Sequence, residues 1–346
     1  MKKITTIIPT YNRPNFLLRA INSAREQTWN DVVILIRDNS TDDLSEKMVS
    51  DLINLDQRID YVRNNKNIGS YENFKLGLQD VETDFFSILS DDDYLDPNFY
   101  AEAIRLFEEY PQAGFVAFRL NIVNPEGDLL DISPKCKETT ILASRYYEVN
   151  KGVDEVLRSN LASTWTSFVF RKEIAREIKL GDFSEIGYGA DILFIWWAAS
   201  RYSFVTSNLI GANFTAHSNS TSSTLVKPFD ERFLYWWRNR MLLIKNDPLV
   251  SDVVKDKISK HYLTHSTKSF NNFQYYFRSA VLLILDRVKK KQFEELKFDF
   301  IAMRSFLPLI VLIGIKFTII ALVFLKIDEK LRSLIRNIKV IIRGSV

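Results

Sequence analysis

Phe85-Phe86-Ser87-Ile88-Leu89-Ser90-Asp91-Asp92-Asp93-Tyr94-Leu95-Asp96-Pro97 is a short apolar run that stops in three adjacent carboxylates. The run has strand length, and Asp96-Pro97 opens a helical pattern behind it. Three neighbouring carboxylates repel one another, so their place after a buried strand points to a divalent cation that offsets the charge. Oxygen ligands suit Mg²⁺ or Mn²⁺, and such an ion bridges to a diphosphate. Helix capping accounts for Asp96 but not for the triplet.

Working outward, β-branched runs alternate with helical patterns. Strands are predicted at 4–9, 32–37, 59–63, 85–89 and 115–122, and helices at 15–27, 44–55, 71–79 and 98–109. That alternation predicts an α/β fold with a mainly parallel, Rossmann-like sheet flanked by helices. Ligands of such sheets bind beyond the carboxyl ends of the strands, where three polar clusters fall: Pro9–Pro14, Asp38–Asp42 and Asp91–Asp93. Further on, helices are predicted at 153–158 and 190–201, and strands at 166–170 and 204–214. From 229 to about 291 the pattern is helical almost throughout.

Four segments then carry a family resemblance: IPTYNRP at 8–14, RDNSTDD at 37–43, NIGSYENFKLG at 67–77 and LSDDDYLDP at 89–97. Their order and spacing resemble family 2 glycosyltransferases of the GT-A fold, over roughly the first 220 residues. The resemblance implies that Asp38 contacts the nucleobase, usually uracil. Thr10, Tyr11 and Arg13 line the nucleotide site, and Asn67 lies on the donor side. Asp92 meets the sugar or ribose beside Asp91, and Asp93 binds Mn²⁺ or Mg²⁺. Asp191, at the start of a helix, matches the family's catalytic base, a carboxylate suited to take the proton of an acceptor hydroxyl. The family transfers its sugar with inversion and no covalent sugar-enzyme intermediate. His217 is a candidate for the diphosphate, and Trp165 for the acceptor sugar. Three positions depart from the pattern: Ser90 stands at the first place of the acidic motif, Asn39 replaces a second Asp after Asp38, and Ala190 replaces a Glu before Asp191.

The implied layout is a catalytic domain at 1–225, with a nucleotide-sugar half at 1–123 and an acceptor half at 124–225. A helical region follows at 226–304, and 305–346 forms a membrane-associating tail. Residues 306–325 are apolar apart from Lys316, and a helix of that length approaches the ~30 Å of a hydrocarbon core. Beyond it Leu331, Leu334, Ile338 and Ile342 share a stripe opposite Lys330, Arg332, Arg336, Lys339 and Arg343, as in an interfacial helix on anionic lipid. A buried hairpin or an oligomer contact is the competing use of this tail. The expected partners are a nucleotide-sugar, a saccharide or lipid-linked acceptor, and the cytoplasmic face of a membrane.

Bulk properties exclude other classes. Hydrophobic residues are 46% and charged residues 26% of 346, too polar for a multi-span membrane protein, and a net charge of +3 gives nucleic acid no purchase. The single cysteine, Cys136, rules out an internal disulfide. The apolar run at the amino terminus is cut by Pro9, short of a signal-peptide core. A dehydrogenase lacks its GxGxxG, a P-loop enzyme its GxxxxGK[ST], and a nucleotidylyltransferase its glycine-rich loop. His261 and His265 share a helix face but have no evident third ligand. A silent sugar-nucleotide-binding subunit is the remaining alternative, and Asp92, Asp93 and Asp191 argue against it.

Overall fold

A computed structural model of the chain describes residues 2–133, 144–157, 161–162, 164–178, 190–218, 244 and 247–258. Cys136, His261, His265 and the whole of 305–346 lie outside the described residues. No helix among the described residues is long and apolar enough to cross a membrane. The chain divides into two compact units, Met1–Thr224 and Leu225–Val346. In the second, residues 252–258 are helical and bury Val254 and Ile258. All that follows concerns the first.

Four parallel strands begin the sheet: β1 (Ile4–Thr10), β2 (Val32–Asp38), β3 (Ile59–Arg63) and β4 (Phe85–Ile88), ordered β3-β2-β1-β4. Helices α1 (Pro14–Arg25), α2 (Leu44–Leu55) and α3 (Ser70–Gln79) make the crossovers between them. These agree with the sequence expectation to within two residues at each end. Pro14 takes the first helical position of α1, where its missing N–H costs nothing. Pro9 is tolerated in a central strand because the β4 register stops at Ile7↔Ile88, before the proline is reached.

Beyond β4 the sheet becomes mixed. After the two-residue β5 (Tyr94–Leu95) and α4 (Phe99–Glu109) come β6 (Phe115–Val123), β7 (Leu129–Ser133) and β8 (Arg145–Tyr147). Helix α5 (Val149–Leu157) leads towards a 3-10 turn at Trp165–Ser167, which feeds β9 (Phe168–Arg171). Helices α6 (Lys172–Glu177) and α7 (Ala190–Arg201) precede β10 (Phe204–Thr215). The order runs on from β4 through β9, β6 and β10 to β5, with β7 on β6 and β8 on β10. Strand β9 is antiparallel to both β4 and β6, whereas β6 and β10 pair in parallel. The parallel pairings β1/β2, β2/β3 and β6/β10 are the long ones; β1/β4 and the antiparallel pairings span four residues or fewer, apart from irregularities. The sequence reading did not anticipate β5, β7, β8 or α6, all too short to show a period. It also began β9 two residues early, inside the 3-10 turn.

The core under this seam is aromatic. Phe85, Phe86, Phe115, Phe168, Phe170, Phe194 and Phe204 are all buried, and each such side chain contributes roughly 1.5–3 kcal/mol by leaving water. Rings from neighbouring strands stack, Phe86 on Phe170 at 5.2 Å and Phe115 on Phe204 at 4.7 Å, while Phe194 of α7 meets Phe170 edge-on at 5.0 Å. Buried hydroxyls among them are partnered: Tyr100 bonds both Thr6 and Ser87. Gly77 lets α3 lie close on β1, since a Cβ there would stand 2.5 Å from Ile7 Cγ2.

Candidate functional site

The carboxyl ends of β1, β2 and β4 meet at one edge of the sheet, and their loops are bonded to one another. Thr10, the last residue of β1, donates its hydroxyl to Asp91 Oδ2 at 2.8 Å. Arg13 reaches Asp92 Oδ2 at 2.9 Å and Asp91 Oδ1 at 3.3 Å. Asn12 adopts φ +53°, a left-handed conformation that asparagine tolerates. This brings its N–H to Ser40 Oγ at 2.8 Å, while its side-chain oxygen accepts the Thr41 N–H at 2.9 Å. The first and second clusters are therefore latched together.

Asp38 is fully buried at the end of β2. Its Oδ1 accepts the Ser40 N–H at 2.7 Å and its Oδ2 accepts the Tyr61 hydroxyl at 2.5 Å, so its orientation is fixed. That proximity to a carboxylate, together with burial, holds the Tyr61 phenol well above its ordinary range, burial being the larger cause. Asn39 anchors the 64–69 loop: its amide donates to Asn67 Oδ1 at 2.7 Å, and its oxygen accepts from Ile68 N–H at 3.0 Å and Asn64 Nδ2 at 3.2 Å. The position where the family pattern favours a second Asp is thus filled by an amide that both donates and accepts. An ionised carboxylate, which only accepts, could not do this.

The three carboxylates have different surroundings. Asp91 is nearly buried, and desolvation pushes its carboxyl up to about 6, with the Asp92 charge adding to the rise and Arg13, Thr10 and the Tyr11 N–H opposing it. Asp93 is wholly buried; Thr166 donates to its Oδ2 at 2.7 Å and the Thr215 N–H to its Oδ1 at 2.9 Å. Burial, then the Asp92 charge, raises its carboxyl well above the usual range against those two donors. Asp92 keeps partial access to solvent, with its side chain 13% exposed. Beyond Arg13 it meets His217, whose Nε2 lies 3.0 Å from Oδ2; an ionised carboxylate only accepts, so the imidazole donates from that nitrogen.

The remaining predicted residues lie around this cluster. The side chain of Tyr11 is 44% exposed. Trp165 places Nε1 3.4 Å from Ser90 Oγ and stacks on Phe74 at 4.4 Å. Asp191 stands in the first turn of α7, a helix that reaches the same aromatic group through Phe194, edge-on to Phe74 at 6.4 Å. Thus Thr10, Arg13, Asp91, Asp92 and His217 form one bonded cluster, with Asp93 beside it on Thr166 and the Thr215 N–H. Asp38 and Asn67 flank it, and Trp165 reaches the Asp93 side through Ser90 and Thr166. Sequence reasoning missed Tyr61, Thr215 and Arg19, and placed Thr166 with Trp165 at the acceptor lining rather than on Asp93. Tyr61 alone carried a signal, since pairing β3 to β2 gives it the same facing as Asp38.

Among the described residues no group of three or more His, Cys, Asp or Glu side chains could hold a metal ion. An ion that takes one carboxylate from the protein and completes its shell with phosphate oxygens and water needs no such group. Asp92 offers that single accessible oxygen donor. Asp93, the ligand expected from sequence, has both oxygens accepting hydrogen bonds in a site closed to solvent.

Fold and site together define an α/β domain of the GT-A kind, with a mixed sheet and polar loops gathered at its strand ends. A family model described as Glycosyl transferase family 2 matches residues 5–181, just over half of the chain. The chain belongs to glycosyl transferase family 2. It is 35% identical over 96 residues to the GalNAc(5)-diNAcBac-PP-undecaprenol beta-1,3-glucosyltransferase of Campylobacter jejuni, a match covering 28% of this chain and 31% of that protein. The chain therefore spans about a third of the length of that curated relative. An uncharacterized glycosyltransferase of Haemophilus influenzae is 21% identical over 229 residues, 64% of this chain and 67% of that one. Among solved structures, S. aureus TarS 1–349 in complex with UDP-GlcNAc superposes with a TM-score of 0.61 at 15% identity, covering 88% of this chain and 87% of that chain. At that identity the likeness speaks for the fold.

Proposed function

We propose that the chain transfers a sugar from a nucleotide-sugar, a UDP-sugar above others, to a saccharide or lipid-linked acceptor in cell-surface polysaccharide assembly, with inversion at the anomeric carbon. The observation that carries this reading is the bonding of three strand-end loops into one polar site, by Thr10 to Asp91, Arg13 to Asp92 and Asn12 to Ser40 and Thr41. The relatives support it: the Campylobacter protein acts on an undecaprenol-linked saccharide, and the TarS complex holds UDP-GlcNAc.

In this reading Asp38, held by Tyr61 and the Ser40 N–H, accepts from the base, while Thr10, Tyr11 and the Asn67 loop border the nucleotide. Arg13 and His217, both on Asp92, are the donors nearest a diphosphate. Mn²⁺ or Mg²⁺ would be held by Asp92 rather than by Asp93, which braces the loop from inside. When bound, such an ion stabilises negative charge on the departing nucleoside diphosphate. Asp191 takes the proton of the acceptor hydroxyl as that oxygen attacks, and the Trp165 ring borders the acceptor. We further assign the chain to the cytoplasmic side of the membrane, through the lipid-linked acceptor and the apolar and basic tail at 305–346.

The test is thermal unfolding of the purified chain with UDP, GDP, CDP or dTDP, each with Mn²⁺ or EDTA. Ligand at 100 times its Kd stabilises by about 2.7 kcal/mol, a shift of several degrees. A shift with UDP that needs Mn²⁺ and is lost in Asp92→Ala supports the donor site. Absence of a shift with every nucleotide overturns it.

A further inference from the structure

Arg19 lies one and a half turns beyond Arg13 on α1 and touches neither the Asp92 nor the His217 side chain in any contact described above. Its guanidinium nevertheless holds the Asp92 backbone and the Thr215 side chain, two residues before His217. One amino group donates to the Asp92 carbonyl and to Thr215 Oγ1, both at 2.7 Å, and the other reaches the Pro125 carbonyl at 3.2 Å. The plane packs over Tyr94 at 4.7 Å and over Phe16 at 5.5 Å, and Phe16 in turn stacks on the His217 ring at 5.0 Å. Thr215, so held, gives its N–H to Asp93, and two residues later His217 meets Asp92.

We propose that Arg19 is a positioning residue for diphosphate recognition, clamping the 215–217 segment onto the Asp91–Asp93 loop so that His217 stays on Asp92. This rests on the donor-site reading above. A lysine would supply the same charge, but not the second amino group that reaches the Pro125 carbonyl while the first holds Asp92 and Thr215, nor the guanidinium that packs over the Tyr94 ring. The site accepts a cost for that fork: Arg19 Nε is buried without a hydrogen-bond partner among the described residues.

A cycle of Arg19→Gln, His217→Ala and the double substitution in the full chain tests the proposal. UDP binding with Mn²⁺ is read by calorimetry, and the ligand-free unfolding midpoint is recorded alongside. Arg19→Gln and His217→Ala should each weaken UDP by roughly 10- to 100-fold, the range of a lost hydrogen bond to a charged group. The double variant should bind like His217→Ala alone, because Arg19 then has no imidazole to hold. A plain structural brace would give additive losses, and that outcome overturns the proposal, as does unchanged UDP affinity in Arg19→Gln. Should Arg19→Gln not fold, Thr215→Val removes only the hydroxyl acceptor, and the same cycle against His217→Ala decides. If the parent chain binds no UDP, the donor reading itself fails and this inference goes with it.

Discussion

Thr10 and Asp91 join two neighbouring strands across their ends. The hydroxyl of the last residue of β1 donates at 2.8 Å to a carboxylate three residues past β4, and both side chains are nearly out of water. Thr10→Val keeps the shape and deletes the donor, leaving a buried carboxylate oxygen short of a partner. Stability should fall by about 1–3 kcal/mol in urea unfolding, and Thr10→Ser should recover most of it. Coincident midpoints for the valine variant and the parent would show that Arg13 and Tyr11 alone suffice.

Tyr61 and Asp38 make a second such pair, but with the carboxylate wholly enclosed. Tyr61→Phe should cost about 1–3 kcal/mol of stability and loosen the orientation of Asp38. Calorimetric titration with UDP should then show weaker binding. Full affinity in a destabilised variant would mean that Asp38 does not face the base.

Gly77→Ala pits two effects against each other. Alanine favours a helix by up to about 1 kcal/mol over glycine. Its methyl, however, would press on Ile7 Cγ2, a fully buried atom of β1 that has nowhere to move. Overpacking of this kind costs about 1–3 kcal/mol, so net destabilisation is expected in the unfolding midpoint. A more stable variant would show that α3 can ride outward at no cost.

Asp56 gives the acid limb of stability a definite sign. Hydrogen bonds from Arg58, and then from Arg25, hold its carboxyl well below the usual range, against a smaller opposing effect of burial. A depressed native value means that the unfolded chain binds the proton first. The contribution is whole above the ordinary carboxylate range and is lost as pH falls through and below it. Solvent screening keeps it on the order of 1 kcal/mol or less. The gap between parent and Asp56→Asn should be constant above about pH 5 and close towards about pH 2, as read from urea midpoints. Parallel curves down to the lowest pH would contradict this.

The first half of this architecture was legible because each of its elements is long enough to repeat. β1 to β4 and α1 to α4 announce themselves by alternation and by a 3.6-residue period, and the acidic cluster stands out because like charges rarely adjoin without cause. The second half hides for a physical reason. β9 was legible as a strand but its antiparallel direction was not, while β8 is three residues and β5 two residues inside a polar motif. Thr166, in the 3-10 turn before β9, and Thr215, the last residue of β10, are ordinary threonines until strand order brings them to Asp93. Arg19 is equally mute, one basic residue on an amphipathic helix. Registers and crossings, not residue types, make these groups part of the site.

Because β9 runs against β4, it begins at the end where β4 finishes, so the Trp165 turn arrives at the carboxylate edge from upstream while the Thr10, Asp38 and Asp91 loops leave it downstream. The two kinds of loop are therefore attached to opposite ends of their strands. Insertions or deletions between β8 and Trp165 can reshape what approaches the aromatic side without shifting one residue of the Thr10, Asp38 or Asp91 loops. On the function proposed above, loop length on the aromatic side would change the molecule modified and leave the nucleotide side as it is.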